Sequence, residues 1–433
     1  MRKLLLSATV LVLAVSCSPK PDAPEHGKMD RSRLNIGTYI LQPYARTEQH
    51  VKDIADCGVD FVVCMQNDRA TLDLFSKYGI GAVVTGVLPG WWGGDGERAG
   101  MLSSINPMES YKSAAAAWED HPAAWGIDIG DEPSALDFPY YGRVFEKVDS
   151  LFPNQFPYIN LYPNYASVSQ NNSEQTVNQL GTPTYAEHIA EYVKNVPSDY
   201  ICYDFYVYSC IVPMMYDNLR IVSDACRAND RSLWIVLQVN SREEDTWISA
   251  NQLRFQAYTA MAFGAENIIW ACWTAGWWHN QVVDGAGQKT QQYDKLKTVN
   301  GEIRTLSDAY MKYHTVSTSF IGFDGTEWLE NTDINSADAL DCGRFSDVCM
   351  TDGSAAVAGY MVPRGKGRGE ALFVCSADDP YDKECSKHTL RFKTASRKLM
   401  VTGTDGPVQV TRDAEGYCNI ELDSNSAVLI ETK

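Results

Sequence analysis

Between Leu34 and about His314 short apolar runs alternate with segments of helical periodicity, and no other feature constrains the fold as much. The apolar runs cover residues 35–40, 60–65, 81–87, 124–130, 158–162, 200–207, 233–238 and 267–273. Helical segments fall between most of them, at 48–57, 70–78, 108–120, 140–152, 185–195, 213–228 and 248–263. Runs apolar at successive positions suit strands covered on both faces, as in a parallel sheet wrapped by helices. Eight such alternations over about 280 residues predict an α/β fold, a (β/α)8 barrel of TIM type spanning residues 34–314. A doubly wound sheet is the competitor. It usually carries a glycine-rich phosphate turn after its first strand, whereas here the first run leads into Leu41-Gln42-Pro43.

Helix boundaries carry their own signals. Thr184 with Glu187, and Ser249 with Gln252, have the spacing of capping boxes. Gly58, Gly79 and Gly264 each follow a helical pattern where a left-handed cap is wanted. A helix over 293–314 closes this region, and the pattern then changes. Alternating segments at 355–361, 370–375, 388–392, 398–402, 418–422 and 427–430 are separated by the turn signals Asp352-Gly353, Asp405-Gly406 and Glu415-Gly416. They predict a small C-terminal antiparallel β-sandwich over 315–433, with the glycine-rich 365–369 as a hairpin tip.

The N-terminus reads as a targeting segment. Arg2 and Lys3 precede an apolar run from Leu4 to Val15, and small residues lead to Cys17. That run is too short to span a bilayer and has the layout of a secretory signal. A cysteine at the cut site resembles the bacterial lipoprotein box. It makes residues 1–17 a signal peptide, Cys17 the lipidated residue and 18–33 a flexible tether. The chain is then expected to be exported and lipid-anchored in the cell envelope, at the outer membrane of a Gram-negative bacterium. Loss of Arg2 and Lys3 leaves 35 basic residues against 55 acidic ones. So acidic a balance argues against nucleic acid, which demands a basic face, and a neutral carbohydrate is a natural partner. No C-x-x-C and no zinc-type histidine spacing occurs, so no metal is expected. Cys64, Cys202 and Cys272 lie in apolar runs and read as buried thiols, while Cys342 with Cys349, or Cys375 with Cys385, are spaced for local disulfides.

The segment HPAAWGIDIGDEP, His121 to Pro133, ends the fourth run by placing Asp131 and Glu132 before a proline that stops the strand. Chemistry in a (β/α)8 barrel sits at the C-terminal ends of its strands. That rule selects Trp91 and Trp92 after the third run, Asn160 and Tyr162 on the fifth, Asp204 and Tyr206 on the sixth, Gln238 and Asn240 on the seventh, and Trp273 on the eighth, with Tyr165 just beyond the fifth run and Trp277 and Trp278 just beyond the eighth. Aromatic faces among amides and carboxylates are what a polyhydroxylated ring needs, since its C–H face packs on the rings while its hydroxyls take directional bonds.

HPA-x-x-G-x-x-I-x-DEP resembles the fourth strand of clan A glycoside hydrolases. Residues 254–273, RFQAYTAMAFGAENIIWACW, are similar to the seventh helix and eighth strand of proteins related to glycoside hydrolase family 42. NLYPNY and YDFYVY resemble strands five and six of uncharacterised barrel proteins near that family, in a bacterial lipoprotein branch. The resemblance implies a glycosidase acting on O-glycosidic bonds in neutral oligo- or polysaccharides, with Glu132 as general acid/base and no cofactor. It also implies a nucleophilic Glu at the end of the seventh strand, where this chain has Gln238. Asp204 as base or nucleophile, Glu243 or Glu244 reaching in from the next loop, or attack by a substrate acetamido group assisted by Asp204 are the open routes. The other reading is a non-catalytic glycan-binding surface lipoprotein on a degenerate barrel, with a structural or adhesion role third.

Overall fold

A computed structural model of the chain describes residues 29–66, 68–88, 92, 98–105, 108, 111, 118–168, 179–323, 336–381 and 386–433. The signal segment with Cys17, most of the tether, Trp91 and Cys385 lie outside the described residues, as does most of the helix expected at 108–120.

Eight parallel strands form one sheet: β1 (Asn35–Tyr39), β2 (Phe61–Gln66), β3 (Gly81–Thr85), β4 (Ala124–Asp131), β5 (Phe156–Asn160), β6 (Tyr200–Phe205), β7 (Ser232–Gln238) and β8 (Ala265–Ala271). Their order, β5-β4-β3-β2-β1-β8-β7-β6, makes β5 and β6 the two open edges. These meet through a parallel bridge between Leu161 and Tyr203, with the Leu161 N–H donating to the Cys202 carbonyl at 2.9 Å. The sheet thereby curls into a nearly closed barrel, which fits the (β/α)8 expectation. The helices packed outside it include α1 (Glu48–Asp56), α2 (Arg69–Tyr78), α3 (Phe138–Leu151), α4 (Tyr185–Asn195), α5 (Val212–Asn229), α6 (Ala250–Ala262) and α7 (Gln291–Tyr310). Both expected capping boxes form, at the starts of α4 and α6. Gly79 caps α2 in the left-handed region at φ 71°.

The barrel interior is filled below its mouth. Tyr200 stacks on Trp234 at 4.1 Å between ring centroids, and Phe156 meets Trp234 edge-on at 5.6 Å. The Arg31 guanidinium sits 5.0 Å from the Trp234 ring centre, so the chain just before β1 closes the floor with a cation–π contact.

Helix α7 stops at Tyr310, earlier than the periodicity implies, and the chain enters a strand at Tyr313. Twelve strands follow among the described residues. They are β9 (Tyr313–Ile321), β10 (Ser336–Ala337), β11 (Leu340–Cys342), β12 (Phe345–Met350), β13 (Ala356–Pro363), β14 (Ala371–Ser376), β15 (Lys387–Thr394), β16 (Leu399–Gly403), β17 (Gly406–Pro407), β18 (Thr411–Arg412), β19 (Cys418–Asp423) and β20 (Ala427–Thr432). They make a seven-stranded sheet, β10-β9-β13-β14-β20-β16-β17, and a five-stranded sheet, β11-β12-β15-β19-β18, antiparallel apart from the β9–β10 pair. Ile321, Leu372, Val374 and Ile430 of the first share a buried cluster with Phe345, Leu390, Phe392 and Ile420 of the second. The opposite face of the larger sheet packs on the barrel: Phe320, Phe373 and Leu429 belong to the barrel's own apolar core. At Gly359 a Cβ would stand 2.3 Å from the Ala262 carbonyl, so β13 and α6 touch backbone to backbone.

The local disulfide expected between Cys342 and Cys349 does not form, and both are free thiols. Cys342 faces Phe345 across the β11–β12 pair, four residues before Cys349 on the same strand. Four residues of strand span about 13 Å, well beyond a disulfide's reach. Cys64, Cys202 and Cys272 are free as well, with Cys202 and Cys272 fully buried and Cys64 half-buried.

Candidate functional site

The alternation along β4 leads one to expect Gly130 on the same face as Asp128. The structure departs from this through a bulge, where pairing with β5 passes from Asp128↔Tyr158 directly to Gly130↔Ile159. Gly130 turns toward the helices, where a Cβ would strike the Tyr141 hydroxyl at 2.1 Å. The next residue, Asp131, therefore faces the interior. Glu132 then takes φ 44°, a left-handed conformation that costs a non-glycine residue about 1–2 kcal/mol. Its N–H is held by the Asn160 carbonyl at 2.8 Å. Bulge and turn together bring two consecutive carboxylates into one cavity, where a regular strand would send them to opposite faces. Ile40 and Trp278, also at positive φ, follow β1 and β8 at the same mouth.

This cavity, of about 400 Å³, is lined by Tyr39, Trp92, Asp131, Glu132, Asn160, Tyr165, Asp204, Tyr206, Trp277 and Trp278. The Trp92 indole N–H donates to Glu132 Oε2 at 2.5 Å. The Asn160 amide donates to Asp131 Oδ1 at 3.1 Å and to Asp204 Oδ1 at 2.8 Å, so the two aspartate oxygens lie within about 6 Å of each other. The orientation of that amide is set from behind, because the Cys202 thiol donates to Asn160 Oδ1 at 3.5 Å. Tyr165 donates to the second Asp204 oxygen at 3.5 Å. Edge-to-face contacts of Tyr39 with Trp277 (6.0 Å), and of Tyr206 with Trp277 (6.0 Å) and Trp278 (5.1 Å), build one aromatic wall.

No Lys, Arg or His lines the cavity among the described residues, and its two aspartates hold protons at unusually high pH. Burial raises Asp131 to about 6 against the stabilising bond from Asn160. Burial, and then the charge of Asp131, raise Asp204 to about 7. The same two causes raise Asp128, deeper in the barrel, to about 7. Carboxyls that stay partly protonated near neutrality can donate as well as accept, which is what acid–base work requires. Among the described residues no group of three or more His, Cys, Asp or Glu is arranged for a metal ion. A second cavity, of about 470 Å³, opens at the N-terminal ends of β7 and β8, where Arg364 and Glu266 neutralise one another. That end of a (β/α)8 barrel is not where its chemistry sits.

The fold around the site has relatives among known structures. Its structural neighbours are glycoside hydrolases with TIM-like barrels. A cycloisomaltooligosaccharide glucanotransferase from Paenibacillus sp. aligns over 93% of this chain and 85% of its own, with a TM-score of 0.50 and 9% identity. A 4-O-alpha-L-rhamnosyl-beta-D-glucuronidase from Fusarium oxysporum 12S aligns over 95% of this chain and 98% of its own at TM-score 0.45 and 9% identity. A family 5 mannosidase from Rhizomucor miehei covers 61% of this chain and 91% of its own at TM-score 0.39 and 11% identity. At these identities the likeness is one of fold. No family model matches the chain, and no curated protein matches it in sequence.

Six of the residues selected from sequence meet in the cavity: Trp92, Asp131, Glu132, Asn160, Asp204 and Tyr206. Four do not line it. Gln238 is 1% exposed; its carbonyl accepts the Tyr208 N–H at 2.9 Å and its NH2 group donates to the Asn240 carbonyl at 3.0 Å. Both ends of that amide are spent on loop backbone. Asn240 is fully buried and donates to the Trp277 carbonyl at 2.6 Å, so it positions the aromatic wall from behind. Trp273 is fully buried in the layer between strands and helices, edge-on to Tyr293, and Tyr162 is buried in the same layer beside His188. Glu243 and Glu244 are exposed and do not line the cavity. Trp91 lies outside the described residues.

Tyr165, Trp277 and Trp278, just beyond the selected strand ends, line it too, and Tyr39 is the lining residue absent from the sequence-based selection. Tyr39 ends β1 and was open to the same strand-end rule. The tryptophan pair sits several residues beyond β8 and reaches the cavity only because its loop folds back.

Proposed function

We propose that the protein is a glycosidase cleaving O-glycosidic bonds in neutral oligo- or polysaccharides. What carries the reading is the meeting of Glu132 with Asp131 and Asp204 in one aromatic-walled cavity at the C-terminal ends of barrel strands. Glu132 serves as general acid/base, protonating the leaving oxygen and later accepting a proton from water. Asp204 is its partner carboxylate, held in place by Asn160 and Tyr165. The aromatic wall packs the sugar's C–H face, and an oxocarbenium-like transition state gains from the negative potential of a cavity with no cation among its described residues. The absence of a carboxylate at the end of β7 favours a second reading, a glycan-binding protein without turnover.

The same proposal extends to the chain's kinship and anchoring. The chain is placed near family 42 in a lipoprotein branch, with Cys17 acylated, residues 1–17 removed and the C-terminal sheets forming a β-sandwich. Met29 and Arg31 lie at the barrel floor, so a tether from an outer-membrane anchor would hold the cavity mouth away from the lipid.

The test is hydrolysis of a panel of aryl glycosides and natural oligosaccharides by the chain lacking residues 1–17, beside Glu132→Gln. A positioned general acid contributes about 10²–10⁴-fold, and the mutant should lose that factor on natural leaving groups and less on acidic phenols. Glycan binding without turnover by either protein would establish the second reading instead.

A further inference from the structure

The reading of the chain as a glycosidase leaves one atom unassigned, the one that attacks the anomeric carbon. The lining carboxylates among the described residues are Asp131, Glu132 and Asp204. Glu132 is committed to the leaving group. Asp204 is 3% exposed and accepts from Asn160 with one oxygen and from Tyr165 with the other, so it is built into the cavity wall rather than offered to a sugar above it. Asp131 is half-exposed to the cavity, but it is the residue next to Glu132 on the same strand end, and Asn160 ties it to Asp204. Adjacent carboxylates approach a sugar from the same side, whereas displacement needs an acid and a nucleophile on opposite faces. The position at which a facing carboxylate would stand is Gln238, whose amide is bound into the loop.

We propose that the attacking oxygen belongs to the substrate: the sugar taken by this cavity carries a 2-acetamido group, and Asp131, backed by Asp204 through Asn160, holds its N–H. The requirement is a hydrogen-bond acceptor for the amide nitrogen beside the acid, and an apolar slot for the methyl group. Asp131 offers the first, and the wall of Tyr39, Tyr206, Trp277 and Trp278 offers the second. Such a sugar is neutral, in keeping with a cavity that would repel uronates and sulfated sugars.

The step balances within the site. Glu132 gives its proton to the glycosidic oxygen as the C1–O bond breaks, and the bonding pair leaves with that oxygen. The acetamido carbonyl oxygen forms a new bond to C1 from the opposite face, giving a cyclic oxazolinium ion whose N–H rests on Asp131. Water then loses a proton to the Glu132 carboxylate as its oxygen attacks C1, which reopens the ring and restores the acetamide. Asp204 takes no part in bond making; it is a positioning residue that keeps Asp131 in register and stabilises the positive charge on the ring.

The experiment compares 4-nitrophenyl 2-acetamido-2-deoxy-hexopyranosides of both anomers with their 2-hydroxy counterparts, followed by the N-fluoroacetyl series on whichever acetamido substrate is cleaved. The proposal expects kcat/KM to favour the acetamido sugar by about 100-fold or more, since an intramolecular nucleophile is replaced by none. It also expects the rate to fall steadily from acetyl to trifluoroacetyl as the carbonyl oxygen loses nucleophilicity. Asp131→Asn should lower kcat with little change in KM, while tight binding of a thiazoline analogue of the cyclic intermediate by the wild type reports a formed site independently of turnover. Equal cleavage of 2-hydroxy glycosides, or a flat fluoroacetyl series, overturns the proposal and leaves the glycosidase reading standing. No cleavage of either set, with no binding of the thiazoline, overturns both.

Discussion

The indole of Trp92 donates a hydrogen bond of 2.5 Å to the carboxylate of Glu132 while its ring remains 56% exposed. A tryptophan this open contributes little to folding, and its one polar atom is spent on the acid. Trp92→Phe should therefore leave thermal stability unchanged and lower kcat/KM about tenfold, the value of one bond to a charged group at a partly solvated site. Parallel thermal melts and steady-state kinetics check both halves.

The buried carboxyls of β4 and β6 make stability fall as pH rises. Asp204 and Asp128 keep their protons to about 7, and Asp131 to about 6, against an ordinary value of 3.8. A raised carboxyl contributes its stability below the unfolded value, and that stability is lost as pH rises through the folded value. The wild type should thus lose stability between about pH 4 and pH 7. Asp204→Asn should flatten that decline, gaining on the order of 1–3 kcal/mol relative to wild type at pH 8 while lowering kcat. Denaturant titrations at pH 5 and pH 8 decide it; an undiminished pH dependence in the mutant would falsify the assignment.

Restoring a carboxylate at the end of β7 should not create an enzyme of the ordinary two-carboxylate kind. Gln238 donates to the Asn240 carbonyl and is 1% exposed, so Gln238→Glu removes a donor and buries a charge beside a carbonyl. We expect a loss of about 2–4 kcal/mol in stability and no rise in activity on any glycoside. Gain of activity on 2-hydroxy glycosides would show that the side chain can swing into the cavity.

Away from the site, His388 is clamped between Asp352 at 2.7 Å and Asp378 at 2.8 Å, and only 7% of it is exposed. Burial disfavours its charge, but the two carboxylates more than offset this and raise its proton affinity above the usual 6.5. Burial likewise opposes ionisation of Asp352, yet the bonds from His388 and Ser354 bring it down to about 2. The clamp is complete below pH 6.5 and above pH 4, and it weakens as pH rises through the elevated histidine value. His388→Asn should cost about 1–3 kcal/mol at pH 5.5 and clearly less at pH 9, read from unfolding midpoints at the two pH values.

Repeat counts and end signals were legible before any coordinates because they depend on neighbours in the chain. The eight apolar runs, the capping boxes at Thr184 and Ser249, the left-handed Gly79 and the hairpin tip at 365–369 are local matters of hydrophobic period and backbone preference. Glu132, Asp131, Asn160 and Asp204 were legible for a related reason, since a barrel gathers the ends of its strands whatever their sequence. Strand β9 escaped notice because its alternation, YHTVSTSFI, directly follows a long helix and carries few large apolar residues.

Only the tertiary structure decided which way each strand-end side chain points. One extra residue in the β4 bulge moves Asp131 inward and Gly130 outward, and no local preference marks a bulge whose cause is the pairing with β5. The fate of Gln238 was likewise settled by the backbone groups of Tyr208 and Asn240, and that of Trp277 by Asn240 beneath its loop. By itself the sequence determined that strands and helices alternate and that their ends carry acids, amides and aromatic rings. Which of these face a substrate depends on hydrogen bonds between residues far apart in the chain, and those exist only once the barrel has closed.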